Sequence, residues 1–152
     1  MPQFVEWYVP QRVVYSHVWG RLGIDDILTV LENSAKLRQS SVQVTHVIAN
    51  WLSVEGLPGN VMSLRRLMIE RGMPEFKYNG RLMVVSGNVM LRSLINLTAR
   101  LGVVNVPIYV TFTMDEACQH LQKVDPTLPT LPPFDKWWND HQLDQRLSAY
   151  YP

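Results

Sequence analysis

Residues 82–102 read LMVVSGNVMLRSLINLTARLG, and this stretch decides the fold. Leu82 to Val85 is an unbroken apolar run, the pattern of a strand covered on both faces. Ser86-Gly87-Asn88 interrupts it with small turn-forming residues. Met90, Leu91, Leu94, Ile95, Leu97 and Leu101 then follow helical spacing until Gly102 supplies a stop. A strand that turns straight into a helix is half of a β-α-β unit, which implies parallel strands. The apolar positions of this helix cover more than one narrow stripe, so the helix is expected to be either central or part of an interface.

The same alternation continues in both directions. Upstream, Val44 to Trp51 reads as a strand, and Gly56-Leu57-Pro58-Gly59-Asn60 as an irregular connection. A helix follows with Val61, Leu64, Leu67 and Met68 on one face, capped by Asn60 or Ser63 and stopped at Gly72 ahead of Pro74. Further back, Ile24, Ile27, Leu28, Leu31 and Ala35 place a helix from Ile24 to about Arg38, with Asp25 and Asp26 in its first turn, where the helix dipole favours anions. Phe4 to Val9 and Arg12 to Trp19 are rich in β-branched and aromatic residues and form a hairpin around Pro10-Gln11. Downstream, Pro107 to Phe112 is a fifth strand, and Thr113 with Glu116 has the spacing of a capping box that opens a helix to about Lys123. The order is β-β-α-β-α-β-α-β-α. It predicts an α/β fold with a small mixed, mostly parallel five-stranded sheet and four helices.

Beyond Lys123 the composition changes. Asp125-Pro126-Thr127-Leu128-Pro129-Thr130-Leu131-Pro132-Pro133 runs extended, because proline fixes φ and restrains the residue before it. The expected organisation is therefore an α/β domain at 1–124, a Pro-rich linker at 125–133 and an aromatic C-terminal tail at 134–152. In the tail, Phe134, Trp137, Trp138 and His141 fall at helical spacing, as do Leu143, Leu147, Tyr150 and Tyr151. Exposed Trp and Tyr at this density are costly unless covered. The tail either folds back over its own domain or docks on another chain.

Composition bounds the function. The chain has 152 residues, enough for one core, and a formal net charge of +1, so no whole-molecule field attracts nucleic acid. The one cysteine, Cys118, has no internal disulfide partner, and no N-terminal apolar segment resembles a signal peptide, so a reducing cytoplasm is the expected location. The most apolar stretch is broken by Ser86-Gly87-Asn88 and Arg92, and no membrane span is expected.

Catalytic chemistry finds little support in the spacing. His17, His46, His120 and His141 are dispersed, none with a second ligand residue in a recognised metal pattern, so neither a metal nor another cofactor is expected. His46 with Ser53 lacks the Gly-x-Ser-x-Gly elbow of a hydrolase. Arg65, Arg66, Arg71, Lys77 and Arg81 are interleaved with Glu70 and Glu75, the pattern of a solvated face. Ser86, Gly87 and Asn88 lie between a strand's carboxyl end and a helix N-terminus. They are read first as a small-residue turn with Asn88 as the helix cap, because the extended Gly-rich pattern of nucleotide sites is lacking; with Asn50 and Ser53 they are also the place to look for a ligand, since open α/β sheets bind at that edge.

The hairpin start, the strand-helix units and the Gly-Pro-containing connection after the third strand resemble the STAS family, the SpoIIAA-like fold of bacterial anti-sigma factor antagonists. The resemblance covers about residues 4–123. It implies a non-enzymatic regulatory or protein-interaction domain that recognises a protein partner or a second copy through the loop and helix at Leu52 to Met68. In phosphoswitch members of the family, an Asp-Ser or Asp-Thr pair opens the helix after the third strand. Here that stretch reads Gly56 to Ser63 with no acidic residue; Ser63 lies about a turn too late, and Asn50 stands where the family commonly has an aspartate. Gly59, Asn60 and Ser63, with Trp137, Trp138, Tyr150 and Tyr151 of the tail, are the expected partner-binding residues. The second expectation is a carrier or sensor of a small or lipid-like ligand at the carboxyl edge of the sheet.

Overall fold

A computed structural model describes residues 3–72, 80–102 and 107–149. Its strands are β1 (Gln3–Val9), β2 (Val13–Arg21), β3 (His46–Gly56), β4 (Leu82–Val85) and β5 (Ile108–Thr111). The helices are α1 (Ile24–Gln39), α2 (Leu64–Glu70), α3 (Val89–Arg100), α4 (Met114–Val124), α5 (Phe134–Asp140) and α6 (Leu143–Ser148). The five strands form one sheet in the order β1-β2-β3-β4-β5, with β1 antiparallel to β2 and every later pair parallel. The α/β class, the mixed sheet and the alternating order match the sequence expectation.

Spatial order equals chain order, and that has a packing consequence. Each parallel step moves the same way across the sheet, and right-handed crossovers then deposit every connecting helix on the same face. One face accordingly holds α1, α2 and α3, packed through Leu28, Leu64, Met68, Leu91 and Ile95 on Val14, Val18, Val47 and Val84. The alternate residues of the same strands, Val13, Tyr15, Ile48, Met83 and Val85, point to the opposite face, as strand pleating requires. No crossover covers that face. It is covered instead by α4 through Met114, Ala117 and Leu121, then by Leu128 and Leu131, Trp137 of α5, and Leu143 and Leu147 of α6.

Residues 125–149 are therefore the outer half of a second core. The proline-rich segment is pinned at both ends. At Asp125 the carboxylate receives the Arg12 guanidinium at 3.0 Å and the His46 Nε2–H at 2.9 Å, while Arg12 Nη1 donates to the Thr127 carbonyl at 3.1 Å. Burial acts to raise the Asp125 pKa, but hydrogen bonds from Thr127 and His46 outweigh it and hold the group at about 2. At the far end the Tyr8 hydroxyl donates to the Pro132 carbonyl. Tyr8 sits where β1 carries one extra residue opposite β2, a bulge that re-aims the side chain.

Two start signals are realised with changes. Thr113 accepts from the Glu116 N–H at 3.2 Å, but the Glu116 carboxylate reaches back to the Phe112 N–H at 2.9 Å, one residue earlier than a capping box uses. Neither Asn60 nor Ser63 caps α2 with its side chain; a 3-10 turn at Val61–Ser63 leads into the helix instead.

Candidate functional site

Because β2 to β5 are parallel, their carboxyl ends share one edge, and the polar side chains of that edge are built from β2 and β3. His17 of β2 is opposite Asn50 of β3, but Trp19 is opposite Ser53, so β3 carries an extra residue there. The Asn50 side-chain oxygen Oδ1 accepts from the Leu52 N–H at 3.1 Å, inside the bulge. Its amide nitrogen donates to the Tyr15 hydroxyl at 2.9 Å, and that hydroxyl lies 3.0 Å from His17 Nδ1. An amide NH2 only donates, so the Tyr15 oxygen accepts from Asn50 and sends its own proton to His17 Nδ1. His17 then carries its proton on Nε2.

The His17 ring lies between Trp19, at 5.4 Å, and Trp138 of α5, at 5.5 Å. Burial pushes its pKa down from 6.5 to about 4, so the imidazole is neutral at physiological pH. Burial also keeps the Tyr15 phenol protonated, although the Asn50 bond acts the other way. The arrangement is a neutral hydrogen-bond chain under an aromatic lid. Its sign with pH follows from linkage: between the two His17 values the unfolded chain binds the proton and the folded chain does not. The stabilisation is present above about pH 6.5 and is lost as pH falls towards 4. Asp125 adds a second loss in the same direction from 3.8 down to about 2. Urea midpoints measured across this range are expected to fall on acidification, and His17→Gln is expected to flatten the upper part of the curve. An unchanged slope in that variant would refute the assignment.

The Ser86-Gly87-Asn88 turn is one element away. Asn88 caps α3, its side-chain oxygen accepting from the Met90 N–H at 2.9 Å and the Leu91 N–H at 3.2 Å. Ser86 is fully buried; its N–H donates to Thr111 and its hydroxyl accepts from the Asn88 N–H at 3.3 Å. Two first-turn donors that an anion would use are thus taken by Asn88 itself. Gly87 is exposed, with Leu52 4.0 Å from where a Cβ would stand, so the β3 and β4 loops adjoin. Asn50 and Ser86 are buried, whereas Ser53, Gly87 and Asn88 are exposed. The five expected ligand residues share an edge, and three of them face solvent.

The expected partner residues are split. Gly59 and Asn60 are exposed and Ser63 is half-buried, as a recognition loop allows. Trp137 is 4 % exposed, with its ring edge-on to Tyr8 at 4.9 Å and Tyr15 at 5.1 Å. Trp138 is half-buried, and its indole N–H donates to Asp144 at 2.8 Å. The placement of Trp137 corrects the expectation that it meets a partner, and the reason is the sheet face that no crossover covers. Tyr150 and Tyr151 lie outside the described residues, as does Lys77 of the basic group. Arg66 and Arg71 are in ion pairs with Glu70 and Asp25. Cys118 is half-buried near the Tyr8 hydroxyl, and burial pushes its thiol pKa up, which disfavours a nucleophilic role.

The sequence left α3 either central or part of an interface, and one of its two apolar stripes is exposed. Leu91, Ile95 and Thr98 are buried, while Met90, Leu94, Leu97 and Leu101 are exposed, from 41 % at Leu94 to 76 % at Met90. At 100° per residue these four fall within about 60° of each other and about a quarter-turn from the buried stripe. Their 4-3-4 spacing is that of a helix-packing seam. Among the described residues no three His, Cys, Asp or Glu gather into a group able to hold a metal ion, and no helix is long and apolar enough to cross a membrane. No protein-family model matches the chain, and no curated protein matches it.

Proposed function

We propose that this chain is a non-enzymatic, STAS-like protein-interaction domain that associates with a second copy of itself through α3. The observation that carries the reading is the exposed seam Met90-Leu94-Leu97-Leu101. A monomer seldom leaves a contiguous apolar stripe on a helix in water, and such stripes mark association surfaces. Further support comes from the carboxyl-edge polar groups, since Asn50 and Asn88 are engaged with protein partners. The element order supports the STAS-like part of the reading.

Charge selects the occupant and its direction. Arg92 and Arg100 are the charged residues of α3, with no acidic residue among them. A parallel seam would set Arg100 against its own copy. An antiparallel seam centred between Leu94 and Leu97 sets Met90 against Leu101 and Leu94 against Leu97. It brings Arg100 level with Leu91, and Arg92, which falls level with Ala99, is about half a turn away from the seam and lies over the Phe112 ring, so like charges do not meet. This is an isologous contact, the kind that closes as a two-fold dimer.

Sedimentation velocity over a concentration series tests it. The native chain is expected to dimerise, and Leu94→Glu with Leu97→Glu to be monomeric at every concentration, with the melting temperature the native chain shows at its lowest concentration, because both residues lie off the core. A native chain that stays monomeric at the highest concentration, or a variant that still dimerises, would sink the proposal.

A further inference from the structure

The face of the sheet under α1, α2 and α3 is incompletely filled. A cavity of about 80 Å³ lies there, bounded by β2, β3 and β4 beneath and by Ile27, Val61, Leu64 and Ile95 above. At ~30 Å³ per water molecule, that is room for about three water-sized groups. Its lining is apolar apart from a few groups, and among the described residues none of them is charged.

Two of the polar atoms in its wall have no partner. Ser16 is 0 % exposed, and its hydroxyl makes no hydrogen bond. The Trp51 indole N–H is likewise buried without an acceptor. Ser16 is opposite Ala49 in the β2–β3 register, Trp51 follows at the start of the β3 bulge, and both residues line the cavity. Buried polar groups are nearly always satisfied, and leaving two donors unmatched in an apolar wall is unfavourable unless something accepts from them.

We propose that this cavity binds a small, uncharged, mainly aliphatic molecule that carries one hydrogen-bond-accepting oxygen, of the ketone or ester class. The apolar wall supplies the hydrophobic contact, and the Ser16 hydroxyl and Trp51 N–H supply donors for a carbonyl oxygen, which has two lone pairs. A carboxylate is disfavoured because no cation lines the wall to offset its desolvation, and an alkane leaves both donors unmatched. The site lies on the inner side of the helical layer and does not depend on the α3 seam.

The test is a titration of the full chain with acetone, propane and acetate, followed by amide and indole N–H shifts in two-dimensional NMR. Acetone is expected to shift the Ser16, Ala49 and Trp51 signals saturably, with at least tenfold weaker effects from propane and acetate. Ser16→Ala is expected to weaken acetone binding about tenfold, to leave propane binding unchanged, and to raise the melting temperature of the free protein by removing an unmatched hydroxyl. No saturable shift with acetone, equal binding of ketone and alkane, or binding of acetate as tight as the ketone would each overturn the proposal. The same titration on Leu94→Glu with Leu97→Glu is expected to be unchanged, so failure of the dimer reading and failure of this one are separately visible.

Discussion

A chain ending at Asp125 is expected to lose cooperative folding. The cut removes Leu128, Leu131, Trp137, Leu143 and Leu147, all buried, and uncovers Phe4, Tyr8, Val13 and Tyr15 on the sheet. A large aromatic or Leu truncated in a core costs about 2–5 kcal/mol, and five such losses, about 10–25 kcal/mol, match or exceed the ~5–15 kcal/mol that holds a domain together. The gentler variant Trp137→Ala removes one of them, with its edge contacts to Tyr8 and Tyr15, and is expected to cost about 3–5 kcal/mol. Urea denaturation followed by far-UV circular dichroism measures both. A truncated chain that unfolds cooperatively near the native midpoint would show that residues 126–149 are an appendage.

Gly80→Ala is expected to be nearly as damaging, for a different reason. A Cβ at Gly80 would stand 2.0 Å from the Thr45 carbonyl oxygen, 2.7 Å from its carbon and 3.3 Å from His46 Cα. These are backbone atoms at the entrance to β3, and they have no rotamer by which to move aside. Displacing them strains the Arg81 N–H bond to His46 Nδ1, at 3.0 Å, and the Val47 N–H bond to Arg81, at 2.9 Å. Because that backbone bond occupies Nδ1 of His46, its Nε2–H is the one that reaches Asp125, so the damage extends to the pinning of the last helices. A loss of about 3–5 kcal/mol is expected by urea denaturation. Gly59→Ala is the control, since nothing lies within 4 Å of its Cβ position and it is not among the positive-φ glycines. A loss below about 0.5 kcal/mol is expected there. Equal effects at the two positions would refute the close-approach argument.

Local pattern and long-range requirement separate cleanly in this chain. Leu82 to Val85 was readable to the residue, because an apolar run bounded by Ser86-Gly87-Asn88 has one reading. β3 extends to Gly56, beyond Trp51, since its exposed Leu52, Ser53 and Glu55 follow a bulge that breaks the alternation. The hydrogen-bond chain from Asn50 through Tyr15 to His17 depends on that same bulge and left no trace in spacing. On α3 two apolar stripes were visible, but which one the sheet buries is decided by the direction of the crossover. Helical spacing in the tail was equally visible. Its destination was not, because the need for a cover comes from a sheet wound steadily in one direction, a property of the whole order rather than of any segment.

That winding also fixes when the molecule can be completed during its synthesis. Arg12 and Asp125, which pin the last segment, are 113 positions apart, and Tyr8 meets Pro132 across 124. A ribosome adding about 5–20 residues per second needs roughly 1–5 s to move from Asp125 to Leu147. Through that interval the residues of the hairpin and the three crossovers have already been made while Tyr15 and its neighbours still await Trp137. The nascent chain thus presents an aromatic sheet surface to its surroundings until Trp137 has been made. Its dependence on chaperones should be concentrated there.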